Sequence, residues 1–309
     1  MIPPGGDAPV LSVILTVVEG GSAVGRFLDV MLAQDDPPGM EILVPYDASI
    51  AETGRLRAAY PAVRFLDMGR VPTERPVHSA AGQHELYDRR RSAGLAQARG
   101  SLVAILEDRA PPRPRWARDM VRLHESLPHA VIGGAIESTS RDSLNWAFYA
   151  CDFSRYSLPF ESGPRDWVSD VNVCYKRRAL EQTRELWQDR FSEPRVHWAL
   201  QEAGETLYLS SEVVVDHETG YASLARVLPE RFHWGRLFGY QRARHVSSSQ
   251  RLRYAVLGPI LPPLLLFRHG RTQRRKGHFG RFLRAAPIML LLLTAWTAGE
   301  VWGTITRKP

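Results

Sequence analysis

Glu107 and Asp108 stand side by side after an apolar run, Leu102–Leu106, and a Pro-rich turn follows at Pro111, Pro112 and Pro114. Adjacent carboxylates at a strand end are poorly placed for packing but well placed to hold a hard divalent cation through oxygen ligands. His217 follows a second apolar segment, Leu207–Val215. Glu193 stands directly before Pro194 at the start of a helical stretch. A helix-start acid there is favoured by the dipole, and a carboxylate can also take a proton from a hydroxyl.

The elements that must position these groups follow from hydrophobic patterning. Val10–Val18 reads as the first strand, and Gly20-Gly21-Ser22 opens a helix over Ala23–Ala33. Glu41–Val44 reads as the second strand, with Tyr46-Asp47-Ala48-Ser49 as its exit, a helix to about Tyr60 and a third strand over Val63–Leu66. Such a βαβαβ rhythm predicts a parallel sheet with right-handed crossovers. A helix from about Gln83 runs through Arg89-Arg90-Arg91 and stops at Gly100. The unbroken apolar run Leu102–Leu106 suits a strand covered on both faces. Beyond it come a helix over Trp116–Leu127, a strand over Ala130–Ile136 and an irregular, aromatic stretch over 138–165. The remaining pattern is a strand over Trp167–Tyr175, helices over Lys176–Leu186 and Glu193–Gly204, and a strand over Thr206–Val215.

The segment Arg89–Trp116, with "Arg-Ser-Ala-Gly-Leu-Ala-Gln-Ala-Arg-Gly" leading through a strand into Glu107-Asp108-Arg109, resembles the central motif of family 2 glycosyltransferases with the GT-A fold. Ser92 stands where that family commonly has Asn, and Arg109 stands in the acidic triplet, where it cannot bind a metal. The resemblance implies a mostly parallel sheet flanked by helices, a nucleotide-diphospho-sugar donor, and Mg²⁺ or Mn²⁺ held by Glu107, Asp108 and His217. It implies that Glu193, counted back from Gly204, is the base. Thr16 and Glu19 match the turn after the first strand. Asp47, in "Tyr-Asp-Ala-Ser", could accept a hydrogen bond from the nucleotide base, and Arg91 could meet the diphosphate. Arg90 is expected to face solvent. On the acceptor side, "Ser-Asp-Val-Asn-Val-Cys-Tyr-Lys-Arg-Arg" resembles the family's strand-to-helix junction. Asn172 is then expected to orient the sugar or acceptor, and Asp170 is an alternative base. Arg236, in "Arg-Phe-His-Trp-Gly-Arg", is a candidate for the diphosphate or for lipid headgroups.

Charge divides the chain. From Arg231 onward there are 15 basic residues and one acid, Glu300, so the tail carries about +14 and the preceding residues about −7. Only Lys176, Lys276 and Lys308 are lysines; the rest of the positive charge is Arg. A basic tail attracts nucleic acid or an anionic membrane face. Long apolar runs in the same tail decide for the membrane, and no basic groove interleaved with aromatics points to nucleic acid. Tyr254–Phe267 is apolar but short, with Pro262-Pro263 inside, and suits a re-entrant or interfacial segment. Arg268–Arg284 carries seven positive charges and no acid; Ala285–Ile305 is long enough to span, though it contains Pro287 and Glu300. The positive-inside tendency keeps the basic loop on the catalytic side, so the first run dips without crossing and the second spans or lies in the interface. Met1–Asp7 lacks a basic n-region, so Val10–Val18 is read as a core strand rather than a signal peptide. Cys151 and Cys174 set neither a disulfide framework nor a zinc spacing.

The expectation is therefore a GT-A domain over residues 1–220 and a basic, helical, membrane-associated tail over 221–309 at the cytoplasmic face. The expected reaction is inverting, metal-dependent hexosyl transfer to a lipid-linked or membrane-proximal acceptor. A polyprenyl-phosphate sugar synthase and a non-catalytic GT-A scaffold are the alternatives.

Overall fold

The computed structural model describes residues 8–244 and 246–308. Met1–Asp7 lies outside the described residues. In chain order the elements begin β1 (Leu11–Thr16), α1 (Ser22–Leu32), β2 (Met40–Tyr46), a 3₁₀ helix (Ala48–Ala58), β3 (Arg64–Asp67), α2 (Ala80–Gln97) and β4 (Leu102–Glu107). They continue α3 (Trp116–Ser126), β5 (Val131–Ser138), α4 (Ser143–Phe153), β6 (Gly163–Arg165), β7 (Asn172–Lys176), α5 (Arg177–Gln182), α6 (Arg184–Trp187), α7 (Glu193–Glu202) and β8 (Leu207–His217). The last helices are α8 (Leu224–Ala243), α9 (Ser248–Leu257), a 3₁₀ turn (Gly258–Ile260), α10 (Leu261–Arg275) and α11 (Phe279–Thr306).

The described residues divide into two compact units, one within 1–73, 84–137 and 158–217, the other within 74–83, 138–157 and 218–309. The first unit holds an eight-stranded sheet in the order β3-β2-β1-β4-β7-β5-β8-β6. It is parallel through β3-β2-β1-β4 and antiparallel at β4-β7, β7-β5 and β6-β8. Every residue of β1 and β4 is buried, as an unbroken apolar run requires when helices cover both faces. On α1, Ala23, Val24, Phe27, Leu28 and Met31 form one buried face. Each fully buried Phe or Met stabilises the fold by roughly 1.5–3 kcal/mol.

Several elements differ from the sequence expectation. The strand expected over Trp167–Tyr175 is confined to Asn172–Lys176 and runs against β4. The stretch 138–165 contains a helix, α4, and a short strand, β6. The helix expected over Lys176–Leu186 is split at Thr183, whose hydroxyl donates to the Ala179 carbonyl at 2.8 Å. The helix after Asp47 is 3₁₀, with Ile50 out of helical geometry.

Register positions the chemistry. Thr16 at the end of β1 pairs with Glu107 at the end of β4, and Leu106 pairs with Asn172 at the start of β7. The residues just before β7 therefore meet the carboxyl ends of β1 and β4 at one sheet edge, where open α/β sheets bind ligands.

The second unit is helical. Gly235 and Gly239 of α8 face Gly299 and Gly303 of α11, and the two helices run parallel here. A Cβ on any of the four would collide with main-chain atoms of the opposite helix: Trp296 or Glu300 for the first two, Phe232 or Arg236 for the others. Small residues four apart are what permit such an approach. Glu300, the lone acid of the tail, is buried and pairs with Arg242 at 2.5 Å. Arg231 is buried as well, bonded through Nη1 to both oxygens of Asp152 at 2.5 and 2.7 Å and lying 4.7 Å from the Trp296 ring. On α11, Leu283, Leu290, Leu291, Trp302 and Ile305 are exposed; by helical spacing Leu283, Leu290 and Ile305 lie on the side opposite the two glycines, with Leu291 and Trp302 on its flank.

Gly299→Ala should destabilise this unit by about 1–3 kcal/mol through overpacking. Gly280→Ala, where an added methyl meets nothing within 4 Å, should be neutral or stabilising. Thermal midpoints of the two variants in the same detergent check this; equal midpoints would remove the tight helix contact.

Candidate active site

At the end of β4, Asp108 is committed to the chain itself. Its Oδ1 accepts from the Val18 N–H at 3.0 Å, and its Oδ2 accepts from Glu19 at 3.0 Å and Gly20 at 2.7 Å. The carboxylate thus pins the loop after β1, where Gly20 takes a φ of 78° that suits glycine. Burial outweighs these bonds and pushes the Asp108 carboxyl up to about 6, with the Glu107 charge adding to the rise.

Glu107 is clasped by two guanidinium groups. Arg91 Nη2 donates to Oε1 at 3.1 Å and Arg109 Nε donates to Oε2 at 3.0 Å. Arg91 is the hub of the edge. Projected from α2, it also reaches Thr16 Oγ1 at 3.1 Å, Asp88 at 3.5 Å and Asp170 Oδ2 at 2.9 Å. Burial opposes its charge, but Asp170, Glu107, Asp88 and Glu193 outweigh burial and hold its pKa above the ordinary arginine value.

Asp170 brings Glu193 into the same group. The Asp170 N–H donates to Glu193 Oε2 at 3.1 Å. Ser192 precedes α7 in an extended conformation and Pro194 stands in its first turn, which sets Glu193 as the first residue of the helix. Burial first, and the Asp170 carboxylate second, push the Glu193 carboxyl well above its ordinary value. His197, one turn along α7, has Nδ1 3.6 Å from Glu193 Oε1, and its Nε2 is 2.8 Å from the Tyr175 hydroxyl. Burial drops the His197 pKa to about 3, so the ring is neutral. A carboxyl whose pKa is raised by burial and a neighbouring carboxylate binds a proton more tightly than an ordinary glutamate.

A separate cavity of about 540 Å³ opens where β2 and β3 end, lined by Tyr46, Asp47, Ala51, Arg55, Asp67 and Arg70 among others. Its size suits a small-molecule site. Asp47 stands at its wall, but its oxygens are in use: one caps the 3₁₀ helix through the Ser49 N–H at 2.8 Å, the other accepts from Arg90 Nε at 2.7 Å. Arg90 is buried, not solvent-facing. It also donates to the Val17 carbonyl at 2.6 Å and to Ser49 Oγ at 3.1 Å, and lies 5.6 Å from the Tyr87 ring.

The edge of the sheet thus brings together Thr16, Arg91, Glu107, Asp170 and Glu193. The Glu19 main chain joins through Asp108. Arg236 lies in the helical unit, where its Nε donates to the Lys308 carbonyl at 3.2 Å. Asn172 is a correction. It is fully buried; its Oδ1 accepts from the Trp116 indole at 2.9 Å, and its Nδ2 donates to the carbonyls of Ala135 at 2.9 Å and Val213 at 3.1 Å. These bonds tie three strands to α3 and leave the side chain no reach to a sugar.

The expected metal set of Glu107, Asp108 and His217 is a second correction. Among the described residues no three His, Cys, Asp or Glu side chains gather as metal ligands. Both Glu107 oxygens are taken by guanidinium groups and both Asp108 oxygens by main-chain N–H groups. His217 is buried at the end of β8, where burial and then the nearby Arg109 charge hold its pKa well below the ordinary value. A divalent cation here would have to displace the Arg91 and Arg109 guanidinium groups from Glu107 and the main-chain N–H groups from Asp108, so these residues do not fit Mg²⁺ or Mn²⁺.

With 96% of this chain and 89% of that chain aligned, the structure is similar to S. aureus TarS 1-349, at a TM-score of 0.50 and 13% identity. The likeness is one of fold: a mixed α/β sheet flanked by helices. The structure also aligns with the mannosyltransferase PcManGT from Pyrobaculum calidifontis, solved with GDP-Man and Mn²⁺, at a TM-score of 0.47 and 16% identity, over 94% of this chain and 74% of that one. No protein-family model matches the sequence, and no curated protein matches it.

Proposed function

We propose that the chain is an inverting glycosyltransferase of the family 2, GT-A kind, moving a sugar from a nucleotide-diphospho-sugar to a lipid-linked or membrane-proximal acceptor. The observation that carries this reading is the Glu193–Asp170 pair beside Arg91 at the carboxyl edge of β1 and β4. Glu193 accepts the proton of the acceptor hydroxyl. The freed oxygen bonds to the anomeric carbon as the bond from that carbon to the phosphate oxygen breaks, and the nucleoside diphosphate leaves with that electron pair. Attack in a single step, from the face opposite the leaving group, inverts the configuration. The cavity beside β2 and β3 supports a nucleoside site, with Asp47 held as a fixed acceptor in its wall.

Membrane association is part of the proposal. Among the described residues, Phe279–Thr306 is the one helix long and apolar enough to cross a bilayer. Val256, Leu257, Ile260, Leu264 and Phe267 are exposed on α9, the 3₁₀ turn and α10, among the arginines of the tail. Exposed apolar side chains beside arginines suit a segment lying in the headgroup region of an anionic leaflet. That supports a cytoplasmic-face location with Tyr254–Phe267 interfacial.

The test is transfer from a panel of nucleotide-sugars by the full chain in membrane lipid extract, with release of nucleoside diphosphate and the anomeric configuration of the product as readouts. Inverted glycolipid is the expected result. No transfer and no nucleotide binding from any donor would leave a scaffold in place of an enzyme.

A further inference from the structure

We infer that Arg109 neutralises the donor diphosphate in the place a divalent cation would take, so that donor binding is independent of metal. The inference rests on the reading of the chain as a nucleotide-sugar transferase. Three observations carry it. First, Arg109 lies two residues past the end of β4, at the strand end nearest the loop after β1, with its Nε donating to Glu107. Second, the oxygens that would bind a cation are spent: Glu107 on Arg91 and Arg109, Asp108 on the Val18, Glu19 and Gly20 main chain. Third, Arg91 adds a second guanidinium on the other oxygen of Glu107, so two permanent positive charges flank one carboxylate.

A departing diphosphate accumulates negative charge on its oxygens, and that charge must be met. Guanidinium groups meet phosphate oxygens with paired, directed N–H donors and cannot lose their charge at any pH a protein survives. A cation, by contrast, needs at least two ionised oxygen ligands from the protein or the phosphates and pays its own desolvation. With Glu107 and Asp108 already bonded to arginine and to the main chain, the diphosphate finds the Arg109 guanidinium there and no cation held between these two acids. Arg109 touches the leaving group in this account; Arg91 and Glu107 hold it in position.

Calorimetric titration of UDP and of GDP into the full chain in detergent, once with EDTA and once with excess Mg²⁺ or Mn²⁺, tests the inference without turnover. Wild-type affinity should agree within about twofold between the two conditions. Arg109→Ala should weaken binding by about tenfold or more in both, as expected for loss of a charge-assisted hydrogen bond. Arg109→Lys should recover part of it. The wild-type comparison needs no variant to fold. A tenfold or greater rise in wild-type affinity on adding either cation would overturn the inference and leave the transferase reading intact. Wild-type affinity in Arg109→Ala would overturn it as well. Absence of any nucleotide binding, with or without cation, would sink both.

Discussion

Glu193→Gln should lower turnover by about two to four orders of magnitude, the usual contribution of a positioned general base, with nucleoside diphosphate affinity changed by less than about twofold. Gln keeps the shape and can still accept from the Asp170 N–H, so the loss isolates proton transfer. The same change should stabilise the protein. Burial and Asp170 raise the folded-state pKa of Glu193, so folding favours its protonated form. That contribution is complete below the unfolded value of about 4.3 and is lost as pH rises through the raised folded value. Gln is a permanently neutral substitute. The thermal midpoint of Glu193→Gln should therefore match wild type at about pH 4 and exceed it at about pH 8. Full turnover in the variant would remove Glu193 as base and pass the role to Asp170.

Arg91→Leu should cost about 3–5 kcal/mol, the range for stripping one partner from a buried charge cluster, and lower the thermal midpoint by roughly 6–20 °C. Arg91 is shared among Thr16, Asp88, Glu107 and Asp170, so its removal strands several acids at once. Asp88 shows the balance at stake. Burial alone would raise its pKa, but His84, Arg91 and Arg190 together hold it below the ordinary value. The loss should be largest at neutral pH and should shrink as pH falls through the carboxylate range, because stranded acids escape by taking protons. Differential scanning fluorimetry from about pH 4 to 8 measures this; a midpoint within about 2 °C of wild type at pH 8 would mean that the cluster does not share its charge as described.

Much of the sheet was readable because its strands are covered on both faces. Continuous apolar runs mark β1, β2 and β4 within a residue or two, and the acids at the end of β4 stand where the pattern puts them. The start of α7 at Glu193 was readable from Pro194, which follows it. The aromatic stretch over 138–165 hid a helix because α4 is buried nearly all round, from Asn145 through Ala150, so no polar face sets a period. The reversal of β7 is set by pairing with strands distant in the chain, which no local signal records. Of three consecutive arginines on α2, local pattern does not tell which turn inward; Arg91 does so to meet Glu107 and Asp170, and Arg90 to meet Asp47, 43 residues away. Asn172 was misread for a related reason. A buried amide satisfied by two carbonyls and an indole has the same sequence appearance as one waiting for a sugar. The paired Gly-x-x-x-Gly spacings of α8 and α11 were present as a signal for close helix contact.

Where α8 and α11 touch through glycine, there are no side chains to slide, hop or trade rotamers. Turning either rod would drive a larger residue into the opposing main chain, so the joint admits a single rotational setting. The ridge of Leu283, Leu290 and Ile305 on the far side of α11 is thereby fixed in compass bearing, and whatever surface it meets is approached from one heading.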